Sequence, residues 1–263
     1  MGKTLREAAK DRILILDGAM GTMIQQYKLE EEDFRGYRYR KTPGMMKGNN
    51  DMLNITRPDV ITDIHRKYLR AGADIISTNT FSSQRISQAD YHLEESAREM
   101  ALLGVQLARK AADEFSTEEK PRFVAASVGP TNKTCSMSPD VSNPATRDIT
   151  YAQLYDAYLE QIAAFEEGGA DAILIETVFD TLNAKAAIDA TMEVERRSGR
   201  LMPIMLSITV SDLAGRTLSG QTLDAVLASV SSYPLFSVGL NCSFGADQMK
   251  PFLEELARRA PYY

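Results

Sequence analysis

Short apolar segments that end in polar residues alternate with helical segments along most of this chain. Two of these segments share a pattern: residues 72–78 read Gly-Ala-Asp-Ile-Ile-Ser-Thr, and residues 169–177 read Gly-Ala-Asp-Ala-Ile-Leu-Ile-Glu-Thr. Each follows a predicted helix, begins at a glycine and ends in hydroxyl or acidic groups. Strands this apolar are typical of parallel sheets, in which helical crossovers cover both faces.

The pattern predicts about six strand–helix units. The apolar segments lie at residues 13–16, 72–81, 123–128, 169–177, 204–210 and 237–242. Such a chain forms either an open doubly wound sheet or a closed barrel. No glycine-rich dinucleotide or phosphate loop opens a helix, and polar residues end nearly every strand, which favours the barrel. We therefore predict an α/β fold, a TIM (β/α)8-type barrel with about six of eight units, in which Pro261–Tyr263 begin a seventh strand.

Composition excludes several classes of function. The chain of 263 residues has a net charge of -6, and its charges are mixed along the sequence, so no basic surface for nucleic acid or membrane lipid is expected. No apolar run approaches the roughly 18 residues of a membrane span, and the N-terminus lacks a signal-peptide core. Two cysteines argue against a disulfide framework. We expect a cytoplasmic protein.

Two regions carry weaker signals. The apolar residues of the segment 23–57 follow no regular helix or strand period. A connection of this length after a first strand is usually functional or disordered. His65 falls within a helix predicted from Pro58 to Gly72, where we expect it on the helix surface and not as a ligand. His92 follows a tyrosine in a polar stretch, and we expect the same of it.

The predicted strand ends collect candidate site residues. Because these ends meet at one face of the fold, ligands bind there in both sheet architectures. The residues are Asp17, Asn79, Glu176, Asn241 and Cys242. Cys242 is a nucleophile, a metal ligand for which zinc is favoured, or an inert buried thiol. A nucleophilic thiol usually needs a histidine base, and neither histidine lies at a strand end.

The acidic candidates also have two interpretations each. Glu176 follows four apolar residues, so it either binds a ligand or pairs with a basic neighbour such as Lys185. Asp17 and Gly18 follow the first strand, where they either surround a small ligand or form a tight strand-to-helix turn.

Six motifs occur together and in order, and they point to a known family. They are Asp-Gly-Ala-Met-Gly-Thr at 17–22, Asn-Thr-Phe at 79–81, Gly-Pro-Thr-Asn-Lys-Thr at 129–134, Ile-Glu-Thr-Val-Phe-Asp at 175–180, Ser-Gly-Gln-Thr at 219–222 and Gly-Leu-Asn-Cys at 239–242. The set resembles the homocysteine-binding domain of cobalamin-dependent methionine synthase and, more distantly, betaine–homocysteine methyltransferase. The resemblance covers essentially the whole chain.

The resemblance implies a (β/α)8 barrel with zinc held by three cysteine thiolates, the homocysteine sulfur taking the fourth position. Cys242 matches the first of these cysteines. A bound cation lowers the pKa of the substrate thiol, and the thiolate would attack a methyl group carried by methylcobalamin on another domain. By the same match, Asp17 and Gly18 hold the amino-acid end of L-homocysteine beside Met20. Asn79 belongs to this substrate set.

Glu176 is implied as a second acidic contact, to the substrate ammonium. No catalytic residue is assigned beyond the metal site. The family's other two zinc ligands are adjacent cysteines in a Gly-Gly-Cys-Cys-Gly run after the eighth strand, and this run is absent from the sequence. Cys135 lies in a different motif and cannot replace them.

We therefore expect residues 1–263 to be an incomplete homocysteine-binding barrel domain, inactive alone. The folate and cobalamin domains would belong to a parent methionine synthase. One alternative is a non-metal small-molecule-binding module or an inactive fragment. Another is a barrel lyase or aldolase, which is disfavoured because no lysine lies at a strand end.

Overall fold

The computed structural model describes residues 2–263, and contacts divide the chain into two compact units. The first unit comprises the residues up to Ser127 together with Glu160–Ala172. The second comprises Val128–Leu159 and Ile173–Tyr263. Among residues 2–263, no helix is both long and apolar enough to cross a membrane.

The elements up to Gly168 comprise several short helices, three longer ones and two strands. In order they are α1 (Leu5–Asp11), α2 (Met20–Gln25), α3 (Glu31–Arg35), α4 (Leu53–Thr56), α5 (Pro58–Ala71), β1 (Ile75–Ser77), α6 (Arg85–Gln88), α7 (Ala97–Phe115), β2 (Phe123–Val128) and α8 (Tyr151–Gly168). Single 3₁₀ turns occur at Asn50–Met52, Ala89–Tyr91 and Glu94–Ser96.

Helix α5 and strand β1 form one strand–helix junction as predicted. Pro58 occupies the first turn of α5, where its missing N–H costs no helical hydrogen bond. Gly72 ends the helix with φ of 110°, a left-handed conformation that glycine adopts without steric cost. Strand β1 then pairs in parallel with β2, Ile75 lying opposite Phe123.

The predicted first strand, residues 13–16, is wrong as a regular strand. The structure reduces it to one parallel bridge, between Leu16 and Ile75. The amide of Ile15 donates to the Asp74 carboxylate (2.9 Å) and not to a strand carbonyl, which interrupts the ladder. The side chain of Ile13 is 85% exposed, so this segment lacks the burial that its apolar sequence suggested.

Residues 23–57 are ordered and form part of a core, which their irregular sequence did not predict. Phe34, Met46 and Met52 are buried in one cluster with Ile61 of α5. Because these apolar residues are spaced irregularly, their burial arises from several short helices and not from one periodic element.

The predicted surface position of His65 is wrong. Its side chain is 0% exposed, and it lies on α5, which packs against α7. His92 is exposed, as predicted, and ends a 3₁₀ turn.

The second unit continues the strand–helix alternation. Its elements are β3 (Ala172–Val178), α9 (Thr181–Ser198), β4 (Ile204–Ile208), α10 (Leu223–Val230), β5 (Leu235–Leu240) and α11 (Ala246–Arg259). Strand β4 pairs in parallel with both β3 and β5. The predicted α/β class with parallel strands is thus confirmed, and closure into a barrel stays a prediction.

Tyr263 takes a strand-like position beside β5. Its amide donates to the carbonyl of Phe236 (3.2 Å), and its carbonyl accepts from the amide of Val238 (3.0 Å). In a parallel pair, a residue bonds to the two neighbours of the residue opposite it, as Tyr263 does here with Phe236 and Val238. The segment predicted to begin a further strand therefore does pair with β5 at Tyr263.

Candidate functional site

A β-bulge interrupts β3 at the candidate residue Glu176. Ile175 lies opposite Leu206 and Val178 lies opposite Ile208, so two residues of β3 face one residue of β4. Thr177, the second residue of the bulge, has a φ of 61°. Bulges of this kind redirect side chains and are common beside active sites. A positive φ is unusual for a β-branched residue and needs local support.

Asn241 provides that support from the end of β5. Its Nδ2 donates to Thr177 Oγ1 (3.0 Å), and its Oδ1 accepts from the backbone amide of Thr177 (3.1 Å). Its Oδ1 also accepts from Ser207 Oγ (2.8 Å) on β4. The side chain of Asn241 therefore joins the carboxyl ends of three strands.

Cys242 follows Asn241 and shares the unusual backbone of Thr177. Its φ is 55°, and its side chain is exposed. The sequence interpretation of Cys242 as an inert buried thiol is therefore wrong. Sterically disfavoured conformations persist where surrounding structure holds them, and they cluster at functional sites. An accessible thiol at a strand end fits the role of ligand or nucleophile.

Glu176 lines a small crevice within the second unit. The half-buried Glu176 shares its walls with Tyr158, Asp180 and Asn183. Burial raises the pKa of Tyr158 well above its usual value, so its hydroxyl stays protonated and donates to the carbonyl of Gly129 (3.2 Å). The crevice thus places the carboxyl groups of Glu176 and Asp180 beside a protonated tyrosine.

Asp180 fixes the loop beside this crevice, a role that sequence reasoning missed. One carboxylate oxygen accepts from the amide of Leu182 (2.9 Å) at the start of α9 and from Ser136 Oγ (2.6 Å). Cys135 is buried in the same loop, and burial raises the pKa of its thiol. The only signal was the position of Asp180 within the motif at residues 175–180.

In the first unit, Asp17 is held at the end of β1. Its carboxylate accepts from the amide of Ser77 (2.9 Å) and from Ser77 Oγ (2.8 Å). The adjacent Gly18 is exposed and lies against Tyr68 of α5. Met20 begins α2 and packs partly buried on the core cluster. Asp17, Gly18 and Ala19 thus connect the bridge at Leu16 to α2, with the Asp17 carboxylate anchored.

Asn79 is buried and engaged in contacts within the first unit. Its Nδ2 donates to the carbonyl of Asn50 (2.7 Å) and to Asn54 Oδ1 (3.1 Å). In return, Asn54 Nδ2 donates to the backbone carbonyl of Asn79 (2.7 Å). Both amide protons of Asn79 therefore hold the segment around residues 50–54.

The residues present do not by themselves fit a three-cysteine zinc site. Within the described part of the chain, residues 2–263, no group of three or more His, Cys, Asp or Glu side chains could hold a metal ion. Cys242 offers one thiol, whereas Cys135 is buried in a separate loop. A tetrahedral structural or catalytic zinc requires at least three protein ligands.

The family model for homocysteine S-methyltransferase matches residues 14–263. This chain belongs to the homocysteine S-methyltransferase family. The motifs at the strand ends had indicated this family, and the match confirms it.

Solved structures of a homocysteine methyltransferase share the fold of this family member. The metallated form of MmuM from Escherichia coli is 22% identical, with a TM-score of 0.73, over 96% of this chain and 82% of that chain. Its oxidized form is 23% identical, with a TM-score of 0.69, over 92% of this chain and 77% of that chain. At this identity, the similarity establishes the fold.

Proposed function

We propose that this homocysteine S-methyltransferase family member binds L-homocysteine and prepares its thiol for methyl transfer to give methionine. One observation carries the proposal beyond the family match. The exposed Cys242 directly follows Asn241, whose side chain bonds the bulge at Glu176. A carboxylate suits a substrate ammonium group, and a thiolate suits a metal ion that would bind a substrate thiol.

The substrate's two ends require different chemistry. We propose that the Glu176 carboxylate binds the ammonium group, because charge-assisted hydrogen bonds are the strongest available for that purpose. We propose that Asp17 and Gly18 also hold the amino-acid end, with Met20 and Asn79 as further substrate-binding residues. The bonds from the Ser77 amide and hydroxyl keep the Asp17 carboxylate oriented at the end of β1.

For the metal, we propose that Cys242 supplies one thiolate ligand to zinc. The sequence contains only one other cysteine, and it is buried elsewhere. The remaining thiolates of a three-cysteine site would therefore come from sequence outside these 263 residues. The 263-residue chain alone is accordingly expected to be inactive in methyl transfer.

We further propose a cytoplasmic methionine synthase as the parent protein. In that context the fold would be a (β/α)8 barrel whose remaining strand–helix units lie outside these residues. Its methyl group would come from methylcobalamin and methyltetrahydrofolate on other domains. The ordered motifs at residues 17–22, 175–180 and 239–242 support this choice.

Binding of L-homocysteine tests the proposal. We would measure it by calorimetry on a zinc-loaded version of the chain, extended to include the family's Cys-Cys pair. Loss of one charged hydrogen bond is worth about 1.5–3 kcal/mol, so Glu176→Gln is expected to weaken binding about tenfold or more. Glu254→Gln, which alters a surface pair with Lys250, is the control.

Two results would contradict the proposal. One is wild-type protein that does not bind homocysteine, and the other is Glu176→Gln protein that binds it as tightly as wild type. Equal binding with and without zinc would favour the alternative of a non-metal binding module.

A further inference from the structure

We infer that Asn241 is a positioning residue that fixes the Glu176 carboxylate and the Cys242 thiol relative to each other. This inference rests on the proposed homocysteine site and adds a residue that acts through its neighbours. Asn241 directly precedes Cys242, and its side chain is hydrogen-bonded to Thr177, the residue that follows Glu176. Asn241 therefore contacts the bulge beside Glu176 through its side chain and is joined to Cys242 through its backbone.

The carboxamide group of Asn241 matches its surroundings. Its oxygen accepts two hydrogen bonds, from the Thr177 amide (3.1 Å) and from Ser207 Oγ (2.8 Å). Its nitrogen donates to Thr177 Oγ1 (3.0 Å). The carboxamide thus accepts from the backbone amide of Thr177 and donates to its hydroxyl at the same time.

The backbone conformation of Thr177 requires these hydrogen bonds. A β-branched residue with φ of 61° is sterically disfavoured, and no glycine is present to relieve the conflict. Without the two bonds from Asn241, the bulge would relax toward extended backbone. Because Glu176 precedes Thr177 within the bulge, relaxation would turn its carboxylate away from its present direction.

The backbone of Asn241 is itself anchored on both sides. Its amide donates to the carbonyl of Ile208 (3.0 Å). Its carbonyl accepts from Thr209 Oγ1 (3.3 Å) and Ser243 Oγ (3.1 Å). These bonds fix the peptide immediately before Cys242, whose own φ of 55° is also left-handed. The hydrogen bonds of Asn241 therefore support the left-handed backbone both at Thr177 and at Cys242.

A first experiment tests the hydrogen bonds between Asn241 and Thr177 in the absence of ligand. Hydrogen exchange of the Thr177 amide reports directly on its bond to Asn241 Oδ1. In Asn241→Leu, a near-isosteric apolar variant, we expect the protection of this amide to fall about tenfold or more, while the β4 amides stay protected. Ser231→Ala removes a hydroxyl bond to the carbonyl of Ala228 in α10 and should leave Thr177 protected. Unchanged protection in Asn241→Leu would overturn the inference.

A second experiment measures homocysteine affinity in the zinc-loaded extended chain. Mutation of a residue that orients the ligands of a metal site typically lowers metal affinity or activity 10–100-fold. Asn241→Leu should therefore weaken homocysteine binding about tenfold or more. Adding Thr177→Gly should recover about threefold or more, because glycine adopts positive φ unaided. Adding Thr209→Gly, at a position without positive φ, should recover nothing.

The outcomes separate the two proposals. Wild-type protein that does not bind homocysteine would overturn the proposed function and this role with it. Wild-type affinity in Asn241→Leu would overturn the positioning role alone. Equal recovery by Thr177→Gly and Thr209→Gly would also overturn it, since general destabilisation would then explain the loss.

Discussion

The hydroxyl of Tyr68 lies so close to Gly18 that a Cβ atom on this glycine would be 3.0 Å from the tyrosine oxygen. The same hydroxyl donates to the carbonyl of Ala19 (3.2 Å). Both burial and the neighbouring Asp17 charge raise the pKa of Tyr68, so the hydroxyl remains a donor at neutral pH. A side chain of α5 thus supports the turn that we propose to hold the amino-acid end of homocysteine.

Gly18→Ala is therefore expected to disturb this turn. Overpacking a close contact costs about 1–3 kcal/mol, and Tyr68 is only partly buried, so we expect a loss near the lower end. Gly21→Ala is the matched control, because its Cβ would meet only Asn50 Nδ2, at 3.8 Å. Chemical denaturation of both variants measures the difference. Gly21 lies inside α2, so Gly21→Ala should not lose stability. A Gly18→Ala protein at least as stable as wild type would contradict a constraint from Tyr68.

His65 should make folding stability dependent on pH. Burial lowers its pKa to about 4 from 6.5, and neither ring nitrogen has a hydrogen-bond partner within residues 2–263. On acidification the unfolded chain therefore binds the proton first. The stabilisation is fully present above pH 6.5 and is lost as the pH falls toward 4, by about 3 kcal/mol in all.

His65→Leu tests this pH dependence. An apolar side chain suits a buried site without hydrogen bonds, so stability at pH 7 should be retained or raised. Urea denaturation between pH 4 and 7 should show a shallower loss for His65→Leu than for wild type. The exposed His92→Gln variant should keep the wild-type slope. An unchanged slope in His65→Leu would contradict the assignment.

Asp51 should act with the opposite sign. Burial raises the pKa of its carboxyl to about 6 from 3.8, despite bonds from the Ser82 amide (2.9 Å) and Ser83 Oγ (2.7 Å). The folded state then binds the proton first, so this group lowers stability above pH 6. Its contribution recovers as the pH falls from about 6 to 3.8.

Asp51→Asn keeps an acceptor oxygen and removes the buried charge. We expect it to raise the free energy of unfolding at pH 7 by up to about 3 kcal/mol, with the gain vanishing near pH 4. Urea denaturation across this range measures it, with the exposed Asp224→Asn as control. A variant less stable than wild type at pH 7 would show that the ionised carboxylate is needed.

Because the backbone at Cys242 is left-handed, glycine at this position should give a more stable protein than alanine. Alanine at φ of 55° carries a steric penalty of about 1–2 kcal/mol that glycine avoids. Cys242→Gly should therefore be more stable than Cys242→Ala by about 1 kcal/mol. At Ala187, inside α9, the order should be reversed. Greater stability of Cys242→Ala would contradict the positive φ at this position.

Much of the architecture could be predicted because it depends on local signals. Pro58 and Gly72 marked the ends of α5, and the segment predicted as a strand from Phe123 to Val128 matched β2 residue for residue. The interrupted ladder at Ile15 could not be predicted, because it depends on the Asp74 carboxylate, which is distant in sequence. Likewise, burial of His65 depends on packing between helices.

The candidate site was predicted in composition but not in geometry. Glu176 and Cys242 were found because polar residues at the ends of apolar strands are conspicuous in the sequence. The left-handed backbone of Thr177 and Cys242 gave no signal, because neither position is a glycine. The link through Asn241 is a contact between β3 and β5, which only the folded chain brings together.

Zinc content decides whether Cys242 belongs to a thiolate site that activates homocysteine. We would measure it in the chain extended through the Cys-Cys pair, comparing wild type with Cys242→Ala and, as control, Cys135→Ala. We expect about one zinc ion per wild-type and Cys135→Ala chain, and loss of zinc in Cys242→Ala. Full zinc content in Cys242→Ala, or none in the wild-type chain, would contradict it.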